Sequence, residues 1–237
     1  MHYMNESRNL LLKELEEKFN YHFQNIKILN ESLTHSSYAN ENKKRKIKYN
    51  ERLEFLGDSV LSIVISDYIY NHLNTSQEGE LTKIRASIVC EPSLAACATR
   101  LSLGKYILLG KGEEITGGRE RVSILADTFE AIIGALYLDG GLVEARKFIL
   151  NSLRSTIEDA IHGKIFQDYK TSLQELVQSE NGERISYEVI NEEGPDHNKV
   201  FHVQVKVGEQ ILGKGSGKSK KEAEQHAAKE ALLEVMT

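Results

Sequence analysis

The chain has 237 residues, a net charge of −5, 40% hydrophobic and 27% charged residues, and two cysteines. This length allows one large domain or two smaller ones, and the composition is that of a soluble globular protein. The charge excludes a uniformly basic nucleic-acid binder, so any such surface must be local. Cys90 and Cys97 are too few for a zinc site and suit a reducing compartment, so we interpret them as core residues. Without a signal segment or a run of about 18 apolar residues, the sequence predicts a cytoplasmic protein that does not contact membranes.

The first 162 residues are predicted to form an all-helical domain, because apolar residues recur at the helical period. The predicted helices cover residues 6–19, 50–73, 81–101 with a break near Pro92, 119–138 and 142–161. We expect Asn50 to cap the second helix, and Gly140 and Gly141 to form the turn before the last. The segment 41–48 is predicted to be a basic loop.

A second, smaller domain is predicted at residues 168–237, after a linker at 163–167. One helix over 169–180 comes first, and then the apolar period changes from 3.6 to 2. Three short strands follow, marked by Ile185, by Val203 and by Ile211, and a helix over 220–236 ends the chain. The order α-β-β-β-α predicts an α+β domain, and the whole chain is therefore multidomain.

The helix at 50–61 carries its carboxylates on one face. At about 100° per residue, Glu51, Glu54 and Asp58 fall within a narrow sector, and Leu53 and Val60 lie opposite. The apolar side is expected to face the core. The opposite side is then anionic.

A second helix repeats this arrangement. Asp127 and Glu130 are three residues apart and therefore adjacent, while Phe129 and Ile132 occupy the far side. Gly134 allows a neighbouring helix to approach closely. Both helices are expected to be deeply packed, so their acids would be only partly solvated.

Like charges on one face destabilise a helix, and burial raises the cost, so a partner of opposite charge is expected. Mg²⁺ prefers carboxylates and water as ligands. Ordinary solvated helix faces are the alternative. A di-iron centre is disfavoured because no Glu-x-x-His occurs, and no calcium-binding loop is present. The predicted site contains Glu54, Asp58, Asp127 and Glu130, with Glu51 and Glu78 nearby.

Phe55 lies beside the acids rather than opposite them, where its own domain would bury it poorly. Two interpretations stay open, a satellite core residue and a contact with a second subunit.

The C-terminal domain carries a local basic segment. From Asp168 to Thr237 there are 9 lysines and arginines against 13 acids, a net charge of −4, but residues 214–221 contain four lysines and no acid. Glycines there are expected to expose backbone N–H groups, and Ser219 to cap the last helix. Lysines at a helix N-terminus favour phosphate binding. A solvated lysine-rich turn is the alternative.

Four motifs resemble the bacterial ribonuclease III family. NERLEFLGDSVL at 50–61 is similar to its signature helix, and ADTFEAIIGA at 126–135 to its second acidic block. THSSY at 34–38, and EGE at 78–80 with Arg85 and Ala86, resemble the flanking motifs. The resemblance covers nearly the whole chain in the same order.

The resemblance implies a homodimeric endoribonuclease that hydrolyses both strands of double-stranded RNA with Mg²⁺ or alternatively Mn²⁺, one or two ions per site, and no organic cofactor. A metal ion lowers the pKa of a bound water, which becomes the nucleophile. The products would be 5′-phosphate and 3′-hydroxyl ends with a short 3′ overhang, from ribosomal precursor and other structured RNAs. By position, Glu54, Asp127 and Glu130 match metal ligands, Asp58 and Glu130 match catalytic acids, Glu51 and Glu78 match accessory acids, and Phe55 matches a dimer contact.

Residues 168–237 resemble a double-stranded-RNA-binding domain, on the motifs GPDH at 194–197 and GKGSGKSKKEAE at 213–224. Such domains read duplex shape across two minor grooves and the phosphates between them. The implied RNA contacts are Gln174, Pro195, His197, Lys218, Lys220 and Lys221.

A catalytically silent double-stranded-RNA-binding protein and a purely structural RNA-particle protein are the alternatives to an enzyme. A silent domain should lack some of the four core acids, and this sequence has all of them. His35 and His72 are isolated from one another, so we interpret both as structural.

Overall fold

The computed structural model describes residues 6–162, 169–180, 183–195 and 199–235. The chain divides into two compact units, residues 1–165 and 166–237. The predicted linker at 163–167 lies outside the described residues. In the first unit the helices are α1 (Glu6–Phe19), α2 (Ile26–Ser32), α3 (Ser36–Glu41), α4 (Glu51–His72), α5 (Glu78–Ile88), α6 (Glu91–Arg100), α7 (Lys111–Ile115), α8 (Val122–Ser152) and α9 (Arg154–Ile161). The predicted all-helical class is confirmed.

Helices α4 and α8 form the centre of the first core. Leu61 and Ile65 of α4 are fully buried, and so are Phe129 and Ile132 of α8. These apolar sides are the ones predicted to lie away from the acids. Burial of several such side chains, each worth roughly 1.5–3 kcal/mol, fixes which face of each helix is left for the carboxylates.

The helix boundaries differ from the prediction where turns decide them. Asn50 precedes α4, but its backbone is helical and its side chain makes no capping hydrogen bond, so the predicted side-chain cap is wrong. The expected break near Pro92 occurs just before it, between α5 and α6. Gly141 interrupts α8 with a left-handed φ of 76°, in agreement with the predicted turn. Residues 118–120 form a short 3-10 helix, so α8 begins later than expected.

The second unit is the predicted α+β domain. It contains α10 (Tyr169–Glu180), β1 (Ile185–Glu193), β2 (Val200–Val207), β3 (Gln210–Gly217) and α11 (Lys220–Val235). The strands pair antiparallel in the order β1-β2-β3. Leu173 of α10, Val203 and Val205 of β2 and the alanines of α11 make the core.

The glycines of residues 213–217 have a different role from the one predicted. They lie in β3, and Gly213 pairs with Val205 of β2. A Cβ at Gly215 would lie 2.2 Å from the backbone nitrogen of Ala227, so glycine lets β3 pack directly against α11. These glycines therefore serve close strand–helix packing, and the exposure of their N–H groups to phosphate stays a prediction.

The structure also bears on the cysteines and on membrane association. Cys90 and Cys97 are both free thiols, and Cys97 is buried in the first core as expected. Among the described residues, no helix combines the length and apolar character needed to cross a bilayer.

Candidate active site and RNA-binding surface

Helices α4 and α8 approach backbone to backbone beside their acidic residues. A Cβ at Gly57 would lie 1.8 Å from the carbonyl oxygen of Glu130, and one at Gly134 would lie 2.2 Å from that of Leu53. Only glycine, which has no Cβ, permits this contact. Sequence reasoning identifies Gly134 as a close-approach residue but misses Gly57.

Three carboxylates from these two helices converge. One oxygen from each of Glu54, Asp127 and Glu130 lies within 4.8 Å of the other two, and all three side chains are partly buried. Within the ranges that the structure describes, no other trio of histidine, cysteine or acidic residues has this arrangement. We call these three residues the acidic triad.

The triad carries negative charge that the protein does not balance. Burial, together with repulsion from the neighbouring Asp58, Glu54 and Asp127, raises the pKa of Glu130 to about 8. Burial also raises the pKa of Glu54, with added repulsion from Asp127, Glu51 and Asp58. The acids therefore hold protons more tightly than free carboxylic acids do.

The donor set fits a hard divalent cation. Such ions prefer oxygen ligands, and Mg²⁺ is commonly held by a small number of carboxylates together with water and phosphate. Glu54, Asp127 and Glu130 offer three carboxylates in one place, and a divalent charge would remove the repulsion that raises their pKa values.

The other predicted acids lie outside the triad. Asp58 is exposed, yet its charge acts on both Glu54 and Glu130. Glu51 is exposed at the start of α4 and acts on Glu54. Glu78 begins α5, where its carboxylate accepts a hydrogen bond from the Thr82 hydroxyl at 2.9 Å. The charges of Asp58 and Glu51 thus act on members of the triad, but neither residue belongs to it. Glu78 is not part of the triad either.

Two residues near Asp127 were not predicted as part of the site. Burial raises the pKa of Asp127, and the carboxylate of Glu91 at the start of α6 raises it further, while His35 lowers it. His35 also caps α3, where its Nδ1 accepts from the Ser37 N–H. The structural interpretation of His35 is thus confirmed, but its proximity to Asp127 and that of Glu91 depend on tertiary packing that no local pattern shows.

Phe55 projects from α4 into solvent and is 79% exposed. The interpretation as a satellite core residue is therefore wrong. Contact with a second subunit stays a prediction.

The start of α11 is capped as expected. The Glu222 N–H donates to the Ser219 hydroxyl at 3.2 Å, and the Glu222 carboxylate accepts from the Lys218 N–H at 2.7 Å. This reciprocal arrangement resembles a capping box and fixes the backbone that carries the lysines.

Lys220, at the start of this helix, has an acidic and an aromatic neighbour that the local sequence does not show. Lys220 Nζ lies 3.5 Å from a carboxylate oxygen of Glu192 on β1 and 5.5 Å from the centre of the Phe201 ring. Residues 214–221 contain no acid, but strand β1 supplies one to Lys220 from a distant part of the sequence. Lys218 and Lys221 are exposed.

The remaining predicted RNA contacts lie on α10 and on the loop after β1. Gln174 is exposed on α10 and borders a cavity with Lys170 and Tyr187. Pro195 is exposed after β1. His197 lies outside the described residues.

The fold and the acidic triad together define a nuclease unit joined to an α-β-β-β-α nucleic-acid-binding unit. Residues 25–157 match the family described as Ribonuclease-III-like, and residues 169–235 match the double-stranded RNA binding motif. The chain is 56% identical to Ribonuclease 3 of Caldanaerobacter subterraneus subsp. tengcongensis, over 95% of this chain and 98% of that protein. It is 52% identical to Ribonuclease 3 of Clostridium tetani, over 93% of each.

Among solved structures, the nuclease domain of ribonuclease III from Campylobacter jejuni matches with a TM-score of 0.57 and 40% identity, covering 61% of this chain and 96% of that one. That nuclease domain shows structural flexibility in a region involved in dimer formation. The chain belongs to the ribonuclease III family. It is an endoribonuclease that acts on double-stranded RNA.

Proposed function

We propose that the acidic triad holds Mg²⁺, or alternatively Mn²⁺, as one or two ions, and that the chain hydrolyses both strands of duplex RNA there. The observation that carries this proposal is the convergence of three partly buried carboxylates with raised pKa values. When bound, the ion would act as a Lewis acid that activates water and stabilises negative charge on the phosphate. The family is metal-dependent in general, and all four core acids are present.

The acids have three kinds of proposed role. Glu54, Asp127 and Glu130 are ligands, and Asp58, one helical turn after Glu54, orients the attacking water and accepts its proton. The water oxygen bonds to phosphorus while the bond from phosphorus to the 3′ oxygen breaks, and that oxygen takes up a proton. Glu51 and Glu78, at the starts of α4 and α5, act as accessory acids.

The chain carries an unpartnered apolar stripe that supports a homodimer. Phe55, Ile63 and Tyr70 of α4 are 79%, 58% and 71% exposed, and their spacings of eight and seven residues put them on one side of the helix. Exposed apolar side chains aligned in this way are typical of an interface. A second copy that covers this stripe would also bring a second acidic triad to the same RNA.

The dimer is tested by replacing Ile63 with Arg and measuring mass by sedimentation. We expect a monomer, because a desolvated, unpaired arginine at an interface centre is strongly unfavourable. Leu10→Arg on α1, which is 68% exposed and off the stripe, is the matched control and should remain dimeric. An Ile63→Arg protein that sediments as the control does would refute the stripe as the interface.

We propose that the second unit positions the duplex. Gln174 enters one minor groove, Pro195 and His197 enter the next, and Lys218, Lys220 and Lys221 hold the phosphates between them. The capped start of α11 supports this proposal, since a fixed helix N-terminus with nearby lysines favours phosphate.

The proposed products are 5′-phosphate and 3′-hydroxyl ends with a short 3′ overhang, and the proposed substrates are ribosomal precursor and other structured RNAs. We keep the domain boundaries 1–162 and 168–237, the linker between them and a cytoplasmic location as predictions from the sequence.

The central experiment compares Glu130→Gln with the unchanged chain on a long RNA duplex in millimolar Mg²⁺. We expect cleavage to fall by about 10³-fold or more, since a ligand is lost, while duplex binding changes less than about twofold. Glu144→Gln, on the same helix and paired with Lys147 on the surface, is the matched control. Cleavage by Glu130→Gln at the unchanged rate would refute the site, and an unchanged chain that does not cut with Mg²⁺ would refute the metal-dependent reaction.

A further inference from the structure

The loop before α4 concentrates positive charge. Residues 43–48 include five lysines and arginines, and no acid lies between Glu41 and Glu51. All five cationic side chains are exposed. In a chain whose net charge is −5, this is the densest run of cations in the first unit.

The backbone of this loop is ordered by hydrogen bonds. Residues 43–45 form a 3-10 turn that ends when the Lys46 N–H donates to the Lys43 carbonyl at 3.2 Å. The backbone of Lys46 adopts the left-handed helical conformation, with φ 48° and ψ 48°. The Asn50 N–H donates to the Thr34 carbonyl at 2.9 Å and anchors the far end. The cations are thus carried on a defined surface, which lowers the entropy lost when they bind a ligand.

Most of these cations have no acidic partner within the described chain. Lys48 lies 3.9 Å from Glu31, but no ion pair involves the four consecutive cations at 43–46 among the residues that the structure describes. Four like charges in sequence repel one another, and binding an anion removes that repulsion. An anionic polymer with regularly spaced charges suits such a row better than a single small anion does.

The loop leads directly into the active-site helix. The carbonyl of Asn50, at the end of the loop, accepts hydrogen bonds from the N–H groups of Leu53 and Glu54. Lys46 is five residues from Glu51, so their Cα atoms are at most about 18 Å apart. That distance is within the reach of a duplex whose scissile phosphate lies at the acidic triad, since phosphates follow one another along each strand at short intervals.

We propose that Lys43, Lys44, Arg45 and Lys46 bind phosphates of the duplex beside the cleavage point, as an RNA contact of the nuclease unit separate from the lysines of α11. Its location relative to the cut rests on the proposed function, but the binding itself requires only that the ligand is duplex RNA. The acids of the triad repel phosphate, and this loop supplies the nearby attraction that offsets the repulsion.

The test neutralises the loop in the full-length chain, with Lys43→Gln, Lys44→Gln, Arg45→Gln and Lys46→Asn. Asparagine is chosen at 46 because it tolerates the left-handed backbone. Duplex RNA binding is measured without divalent metal, so that nothing is cut, over a range of salt concentrations. We expect affinity to fall about tenfold near physiological salt, and the slope of log affinity against log salt to fall by about 2, since each lost phosphate contact removes about 0.9.

Two controls and a smaller variant keep the result interpretable. The swap Lys43→Arg, Lys44→Arg, Arg45→Lys, Lys46→Arg preserves charge and should bind as the unchanged chain does. Removing four cations elsewhere, Lys13→Gln, Lys18→Gln, Lys147→Gln and Arg154→Gln, matches the net charge and should leave the slope unchanged. The pair Lys43→Gln, Lys44→Gln leaves Lys46 in place and should show about half of the slope change.

Unchanged affinity and slope in a folded loop variant would overturn the proposal, and so would an equal loss in the charge-matched control. Loss of binding in the charge-preserving swap would also overturn it, because shape rather than charge would then matter. These results are independent of cutting: if the unchanged chain fails to cut with Mg²⁺, the proposed reaction fails while the loop result stands.

Discussion

In the nuclease unit, Glu54 and Glu130 have raised pKa values because burial and neighbouring acids disfavour their charge. In the binding unit, Glu188 and Glu192 have lowered pKa values because lysine side chains donate hydrogen bonds to them. No cation among the described residues lowers the pKa of Glu54 or Glu130, so we expect the partner for their charge to come from outside the chain. The second unit pairs its charges internally, and RNA must compete with those pairs.

The largest expected effect comes from separating the two helices that hold the triad. Gly57→Ala would place a Cβ 1.8 Å from the Glu130 carbonyl oxygen, so the helices must move apart. We expect the free energy of unfolding to fall by at least about 3 kcal/mol, measured by urea denaturation.

Gly112→Ala is the control for this change, because a Cβ at Gly112 meets nothing within 4 Å. Its free energy of unfolding should stay within about 0.5 kcal/mol of the unchanged chain. If both variants were equally stable, the backbone contact would not be what holds the acids together.

The second effect is a pH dependence of the metal-free protein. Because the pKa of Glu130 rises from 4.5 to about 8 on folding, the folded chain binds more protons than the unfolded chain between these values. The stability from this group is fully present below about pH 4.5 and is lost as the pH rises towards 8. We expect a loss of roughly 1–2 kcal/mol, well below the full linkage value because solvent reaches this partly buried site.

Thermal denaturation of Glu130→Gln without metal checks this sign. The variant should be more stable than the unchanged chain at pH 8 and should lose that advantage by pH 5. Adding Mg²⁺ should stabilise the unchanged chain at pH 8 and have little effect on the variant. An unchanged chain that is the more stable of the two at pH 8 without metal would contradict the charge excess.

The smallest expected effect concerns the internally paired unit. Glu192 pairs with Lys199 at 3.1 Å and with Lys220 at 3.5 Å, and so competes with RNA phosphate for Lys220. Exposed pairs are weak, so Glu192→Gln should tighten duplex binding only about two- to threefold, measured by titration at moderate salt.

Glu188→Gln is the matched control, since Glu188 pairs with Lys206, which lies outside the proposed RNA contacts. It should change affinity by less than Glu192→Gln does. Equal tightening by both variants would show a general charge effect instead of competition at Lys220.

The sequence predicted each half of the acidic site because helical period alone places Glu54 beside Asp58 and Asp127 beside Glu130. The sequence could not show how the two acidic helices contact each other, because a glycine within a helix, such as Gly57, has several interpretations. Glu91 could not be predicted as part of the site either, because its effect on the pKa of Asp127 depends on how α6 packs against α8.

The binding unit shows a similar limit. Alternation predicts all three strands, but Ile211 alone marks the third, because glycine and polar residues alternate after it and indicate a loop where β3 in fact continues to Gly217. Its strand character comes from pairing with β2 and from the backbone of α11, which are non-local. The pairing of Lys220 with Glu192 was missed for the same reason.

The contact at Gly57 also has a consequence for ion choice. The atom nearest to an added Cβ there is the main-chain oxygen of Glu130, whose side-chain carboxylate is a proposed ligand. The backbones of the two helices that carry these carboxylates are therefore already in contact at this point. Ca²⁺ needs oxygen distances of about 2.3–2.6 Å and Mg²⁺ about 2.0–2.1 Å. Because helix spacing helps to set the distances between the carboxylates, we expect substitutions at the crossing, as well as at the ligands, to change which ion the site prefers.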